Sequence, residues 1–226
     1  MNNITISPEQ RKLLDEHLRL VLEINKNSNL TRITDWEQGQ LLHIEDSLIG
    51  LPEFLDAPNG FYADLGTGGG FPGLPLSIMS NRETVLVDSV KKKTDALNSI
   101  IYELGLSNRV STYNGRAEEL ALEKPAYYSA ITARALSALP SLLELVSPLL
   151  QIGGWFICYK GKPEEDELSH AIGLEKKLGL KLISHRKTLL SDQETHREIL
   201  VFEKTHEAEV KLPRRPGMAQ KRPYKN

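Results

Sequence analysis

The sequence predicts an α/β fold: a mostly parallel sheet ending in an antiparallel hairpin, preceded by a helical extension. Three observations carry that expectation. From residue 61 onward, short apolar runs alternate with amphipathic helical patterns, the signature of parallel strands joined by crossover helices. The last two β-like runs, 180–184 and 198–202, have no helical pattern between them and read as an antiparallel pair. The first 58 residues hold helical patterns and no strand signal.

In chain order, Ser7-Pro8-Glu9-Gln10 predicts a helix start, with a serine cap, proline in the first turn and glutamine closing a capping box. Leu13, Leu14, Leu18, Val21 and Leu22 form its apolar stripe, and Asn27-Ser28-Asn29 ends it. Asp35 with Gln38 opens a second helix bounded by Pro52. Strand 61–65 leads into a glycine loop and a helix near 74–79. Strand 84–88 leads into helix 91–104, with Gly105 as its stop. Short strands follow at 110–113 and 129–132, then a helix carrying Leu139, Leu142, Leu143, Val146 and Leu149. Gly153-Gly154 reads as a turn into strand 155–159, and helix 164–178 precedes the hairpin. The expected division is 1–58 as extension, 59–206 as the sheet domain and 207–226 as a basic tail.

A chain of 226 residues suffices for one α/β domain with an extension and a substantial core. Hydrophobic residues make up 40% and charged residues 26%, ordinary for a globule that needs no membrane. No apolar run reaches membrane-span length, and the opening residues lack the basic-then-apolar pattern of a secretory signal. The single cysteine, Cys158, lies in the apolar run 155–159 and reads as a buried core thiol. These features together predict a cytoplasmic protein. Net charge is −2, but unevenly spread: Lys211, Arg214, Arg215, Lys221, Arg222 and Lys225 follow Glu209 with no acid among them. The first 209 residues therefore carry a net −8 and the tail +6.

The strongest local signal is Tyr62-Ala-Asp64-Leu-Gly66-Thr-Gly68-Gly-Gly70-Phe71-Pro-Gly73, followed by Asp88 at the end of the next strand. Glycines after a strand expose backbone N–H groups to a ligand. A downstream acid suits the vicinal hydroxyls of a ribose. Gly68, Gly70 and Gly73 fit the dinucleotide spacing, whereas Gly66, Gly68 and Gly70 fit the tighter spacing typical of S-adenosylmethionine methyltransferases. Asp64 tilts the choice, because a carboxylate repels a pyrophosphate but suits an ammonium and a sulfonium. The acidic stretch Arg116-Ala117-Glu118-Glu119 is placed to receive an adenine amino group. The terminal hairpin also favours a methyltransferase over a dehydrogenase. A nicotinamide-dependent oxidoreductase, a small-molecule methyltransferase and a non-catalytic RNA-binding module are the rivals.

The chain resembles the bacterial small-subunit ribosomal RNA guanine-N7 methyltransferases, the glucose-inhibited division protein B family. The resemblance rests on Asn29-Leu30-Thr31, His43 with Asp46-Ser47, the loop from Asp64 to Leu76, Leu86-Val87-Asp88-Ser89, Arg116 to Glu119, Thr132-Ala133-Arg134-Ala135, Lys160-Gly161 and the proline-containing basic ending. Gly69 stands where some members carry proline, a change that only adds freedom. The resemblance implies a class I, Rossmann-like methyltransferase with a seven-stranded sheet and S-adenosylmethionine as cofactor. It implies that Gly66 and Phe71 contact the cofactor, that Ala117 and Glu118 meet its adenine, and that Arg134 lies beside the site. The substrate would be a guanine of 16S ribosomal RNA, within a ribosomal particle.

Guanine N7 has an in-plane lone pair and no proton to lose, so no general base is needed, and none is evident. Arg134, just after the fourth strand, is the candidate catalytic residue, positioned to hold guanine O6 or the methionine carboxylate of the cofactor. His43 and Asp46 share a helix face, either as a buried structural pair or as a wall of the target pocket. No cluster with metal-ligand spacing appears, so no metal is expected. Candidate RNA contacts are His43, Lys160, Arg214, Arg215, Lys221 and Arg222, with Lys91-Lys92-Lys93 as ordinary helix surface or a further contact.

Overall fold

The computed structural model describes residues 5–225. Seven strands form one sheet: β1 (Tyr62–Leu65), β2 (Thr84–Asp88), β3 (Val110–Asn114), β4 (Tyr128–Arg134), β5 (Leu150–Lys160), β6 (Leu180–Leu189) and β7 (His196–Lys204). Their spatial order is β3-β2-β1-β4-β5-β7-β6. The first five run parallel, and β7 is antiparallel to both β5 and β6. The chain reverses its direction of winding between β1 and β4, so a crevice opens at their carboxyl ends.

Two apolar cores sandwich the sheet. One holds Leu14, Leu18 and Val21 of the first helix together with Leu74, Leu86, Leu97 and Ile100. The N-terminal helices therefore pack on the same sheet face as helices Gly73–Met79 and Lys91–Glu103. The other core joins Leu139, Leu142, Leu143 and Val146 to Ile131, Phe156, Leu200 and Phe202. Cys158 is fully buried there, and burial pushes its thiol up to about 12, as an inert core residue requires.

The first helix, Pro8–Ser28, starts where the capping signal places it: Gln10 N–H donates to Ser7 Oγ, and Ser7 N–H donates to Gln10 Oε1. The second helical region departs from a plain α-helix. Residues Trp36–Gly39 lead into a π-helical stretch, Gln40–Glu45, before Asp46–Leu48. Apolar spacing cannot separate a π-turn from an α-turn over six residues.

Three boundaries differ from the sequence expectation. Gly153 and Gly154 do not turn into β5; they lie within it, and Gly153 takes φ +82° at an irregularity opposite Tyr128–Ala130. Helix 164–178 is broken at Leu174 into Glu165–Gly173 and Glu175–Leu178. The hairpin strands run further than their apolar cores, because β6 is an edge strand with polar residues such as Lys187 and Thr188 extending its ladder. Among the described residues, no helix is long and apolar enough to cross a membrane.

Candidate cofactor cleft and active site

The glycine loop lies at the carboxyl end of β1. Gly66, Gly68 and Gly70 all have positive φ. At Gly68 the left-handed conformation (φ +58°) turns its N–H to Asp88 Oδ2 at 3.1 Å. Asp88 Oδ1 accepts from Val90 N–H at 2.9 Å. Each carboxylate oxygen has a second lone pair, so Asp88 keeps acceptor capacity for a ligand.

A cavity of about 270 Å³ opens beside this loop. Its walls include Gly66, Asp88, Ala117 and Glu118, together with Val90, Leu136 and Leu145. Two carboxylates and an apolar slot match a purine nucleoside: diol to one acid, exocyclic amine to the other, ring between aliphatic side chains. The cradle thus fits the nucleoside half of S-adenosylmethionine. Lys93 and Arg116 also reach the cavity, and Lys93 Nζ stands 3.7 Å from Asp88.

Asp64 does not line this cavity, and its expected role is revised. It is fully buried beneath the loop. Thr132 Oγ donates to its Oδ1 at 2.6 Å, and Gly73 N–H donates to its Oδ2 at 3.0 Å. Burial raises its pKa to about 6, against the opposing pull of those hydrogen bonds. It fastens the loop's far end to β4.

Phe71 is clamped between two imidazoles. His17 stacks on it at 4.4 Å and His43 at 4.3 Å between ring centroids. His17 Nε2 bonds to the Gly69 carbonyl at 2.9 Å, so that nitrogen carries the proton. His43 Nε2 lies 2.8 Å from Thr31 Oγ. Burial lowers the pKa of His17 to about 3; burial, with Arg134 nearby, lowers that of His43 to about 4. Both rings are neutral at physiological pH. His43 therefore shapes the loop from within and offers no charge to a phosphate.

Arg134 ends β4 and faces the same region. Its Nη1 donates to Asp46 Oδ2 at 2.7 Å and to the Leu42 carbonyl at 3.1 Å. Its guanidinium lies 5.9 Å from the Phe71 ring centre. Among the described residues Nε and Nη2 of Arg134 have no hydrogen-bond partner, leaving three N–H donors for a ligand. Arg197 on β7 joins the same carboxylate, with Nε 2.8 Å from Asp46 Oδ1. The sequence had singled out neither Arg197 nor His17; each lies on an element read only for its apolar pattern.

Two expected RNA contacts are corrected. Lys160 Nζ donates to Glu167 at 2.6 Å and to the Ser137 carbonyl, so its charge is held by the helix that follows β5. Arg214 makes a bidentate pair with Glu144 at 2.5 Å for each bond, and Glu144 is only 3% exposed. The other tail residues expected to meet RNA, Arg215, Lys221 and Arg222, are exposed. Helix Lys91–Glu103 begins with its lysines on the surface, Lys91 pairing with Asp95.

The sheet order, the glycine loop over β1 and the acid ending β2 define a class I methyltransferase. Solved structures agree on that fold. An O-methyltransferase from Bacillus cereus in complex with SAH superposes with a TM-score of 0.58 at 18% identity, covering 83% of this chain and 90% of that one. A geranyl diphosphate C-methyltransferase from Streptomyces coelicolor gives 0.52 at 11% identity, over 70% and 79%. The family model described as rRNA small subunit methyltransferase G matches residues 10–196, and the chain belongs to that family. Curated relatives named ribosomal RNA small subunit methyltransferase G are 34% identical in Alkaliphilus metalliredigens, over 97% of this chain and 93% of that protein, and 36% identical in Desulfitobacterium hafniense, over 98% and 92%.

Proposed function

We propose that the protein transfers the methyl group of S-adenosylmethionine to N7 of a guanine in 16S ribosomal RNA, acting in the cytoplasm on RNA held in a ribosomal particle. The observation that carries the reading is the cleft itself. It has a nucleoside slot ending in Asp88 and Glu118, and Arg134 stands above the loop with unspent donors.

S-adenosylmethionine, when bound, supplies an activated methyl group on a sulfonium. The guanine N7 lone pair forms the new N–C bond as the S–C bond breaks. Transfer would leave the donor a neutral thioether, with the bonding pair of the broken S–C bond on sulfur, and place the positive charge on the purine. No proton moves. The chain's residues therefore bind, orient and exclude water. Gly66 and Gly68 let backbone approach the ligand closely, and Asp88 receives the ribose. Arg134 orients either guanine O6 or the methionine carboxylate. Neutral His17 and His43 keep Phe71, and with it the loop, in one position.

The reading favours a particle over naked RNA on charge grounds. The first 209 residues carry a net −8, so no broad basic face draws in free RNA. Incubation of small-subunit particles with the protein and methyl-labelled cofactor should place label in 7-methylguanosine on nucleoside mass spectrometry. Label in another nucleoside, or none in RNA while a small molecule is methylated, would refute the proposal.

A further inference from the structure

The tail is not a loose end. Arg214 grips buried Glu144 on helix Leu139–Val146, and its guanidinium stacks 4.2 Å from the Tyr224 ring centre. His170 bonds to the Tyr224 carbonyl at 2.7 Å. Ala219 is 2% exposed, packed into the core beside Leu145. Between these anchors, Gly217 N–H donates to Glu118 Oε1 at 2.7 Å. Gln220 then stands at the rim of the nucleoside cavity, on the same wall as Leu145 and Glu118.

We propose that the C-terminal segment Val210–Lys225 is a wall of the cofactor pocket and that Gln220 is a cofactor-binding residue on its adenine side. The proposal rests on reading the cleft between Asp88 and Glu118 as the cofactor site. Three physical points support it. A primary amide sets a carbonyl acceptor beside an NH2 donor group, the complement of the adenine edge with its exocyclic amine and ring nitrogen. Glu118 is shared: Gly217 occupies one oxygen, and among the described residues Oε2 has no partner, leaving it for a ligand. The segment is held through a bidentate ion pair to the buried Glu144 carboxylate, so Gln220 arrives at the rim at little ordering cost.

The test measures S-adenosylhomocysteine affinity by calorimetry on the full-length protein and on Gln220→Ala and Asp88→Ala variants. Gln220 is exposed, so its truncation should leave the unfolding temperature of the ligand-free protein unchanged. Loss of a paired amide contact should weaken binding roughly tenfold. Trypsin cleavage after Lys221 should also slow when S-adenosylhomocysteine is bound. Wild-type affinity in Gln220→Ala, with weakened binding in Asp88→Ala, would overturn the tail's role and leave the cleft intact as the cofactor site. Wild-type affinity in both variants would overturn the cleft reading and the tail proposal with it.

Discussion

Asp46 Oδ2 lies 2.7 Å from Arg134 Nη1, and the Asp46 side chain is only 3% exposed. One buried carboxylate thus fixes the arginine that stands beside Phe71 of the glycine loop, while its other oxygen receives Arg197 from β7. The carboxylate belongs to the short helical turn that follows the π-helical stretch, so the N-terminal helices set the direction of a side chain on the central sheet. Substituting Asp46→Asn leaves two arginines facing a neutral amide. Breaking a buried pair from one side costs about 3 kcal/mol or more. We expect a clear drop in unfolding temperature, together with a fall in kcat larger than any change in cofactor affinity. A variant with wild-type stability and turnover would remove Asp46 from the positioning of Arg134.

The tail's arginines divide into two kinds despite adjacent positions. Arg214 is committed to Glu144, whereas Arg215, Lys221 and Arg222 are exposed. Arg214→Gln should destabilise the fold by about 3 kcal/mol, because it strands a buried carboxylate. Replacing Arg215, Lys221 and Arg222 together with glutamine should leave thermal unfolding unchanged. If these three meet phosphates, it should also lower the salt slope of RNA-particle binding by about 0.7 per lost contact, the single-strand value. Equal effects from both changes would contradict this division.

Gly73 tests the packing under the loop. A Cβ there would lie 2.7 Å from Asp64 Cβ, and Leu86 closes the other side. Gly73→Ala should therefore cost about 1–3 kcal/mol through overpacking. It should also weaken cofactor binding, because the Gly73 N–H that tethers Asp64 must shift. Urea denaturation and calorimetry read the two effects separately, and an undisturbed midpoint would show that the loop has slack.

Much of this was legible in the residues. The strand–helix alternation located the five parallel strands, the missing helical pattern located the terminal antiparallel pair, and the glycine spacing located the turn after β1, because each follows from local backbone chemistry. The clustering of Gly66, Asp88, Ala117 and Glu118 around one cavity follows from strand ends meeting at a switch point. What sequence could not supply were partnerships across long separations. Asp46 with Arg197, Arg214 with Glu144 and Gly217 with Glu118 join positions 151, 70 and 99 residues apart. Nothing local marks a charged residue as paired or free, so Lys160 and Arg214 read as ligand contacts until their partners were visible. His17 was hidden for a similar reason: a histidine on an apolar helix stripe gives no sign that it will stack on a loop phenylalanine.

Those histidines give the fold a pH signature. In the folded protein His17 and His43 stay neutral down to about 3 and about 4, against an ordinary value of 6.5. The unfolded chain takes up both protons as pH falls below that ordinary value, so it gains stability relative to the native state. Asp64 acts in the opposite sense. Its folded pKa of about 6 against 3.8 means that the native state takes up a proton first, and stability from this group grows as pH falls through that window. Two protons against one leave a net loss of stability between about pH 6.5 and pH 4, with a slope on the order of 1.4 kcal/mol per pH unit. Thermal unfolding followed from pH 7 to pH 5 should show the midpoint falling. His17→Gln retains a donor for the Gly69 carbonyl and removes one titrating group, so its curve should be nearly flat over the same interval. The same fall in wild type and variant would place the acid sensitivity elsewhere in the molecule.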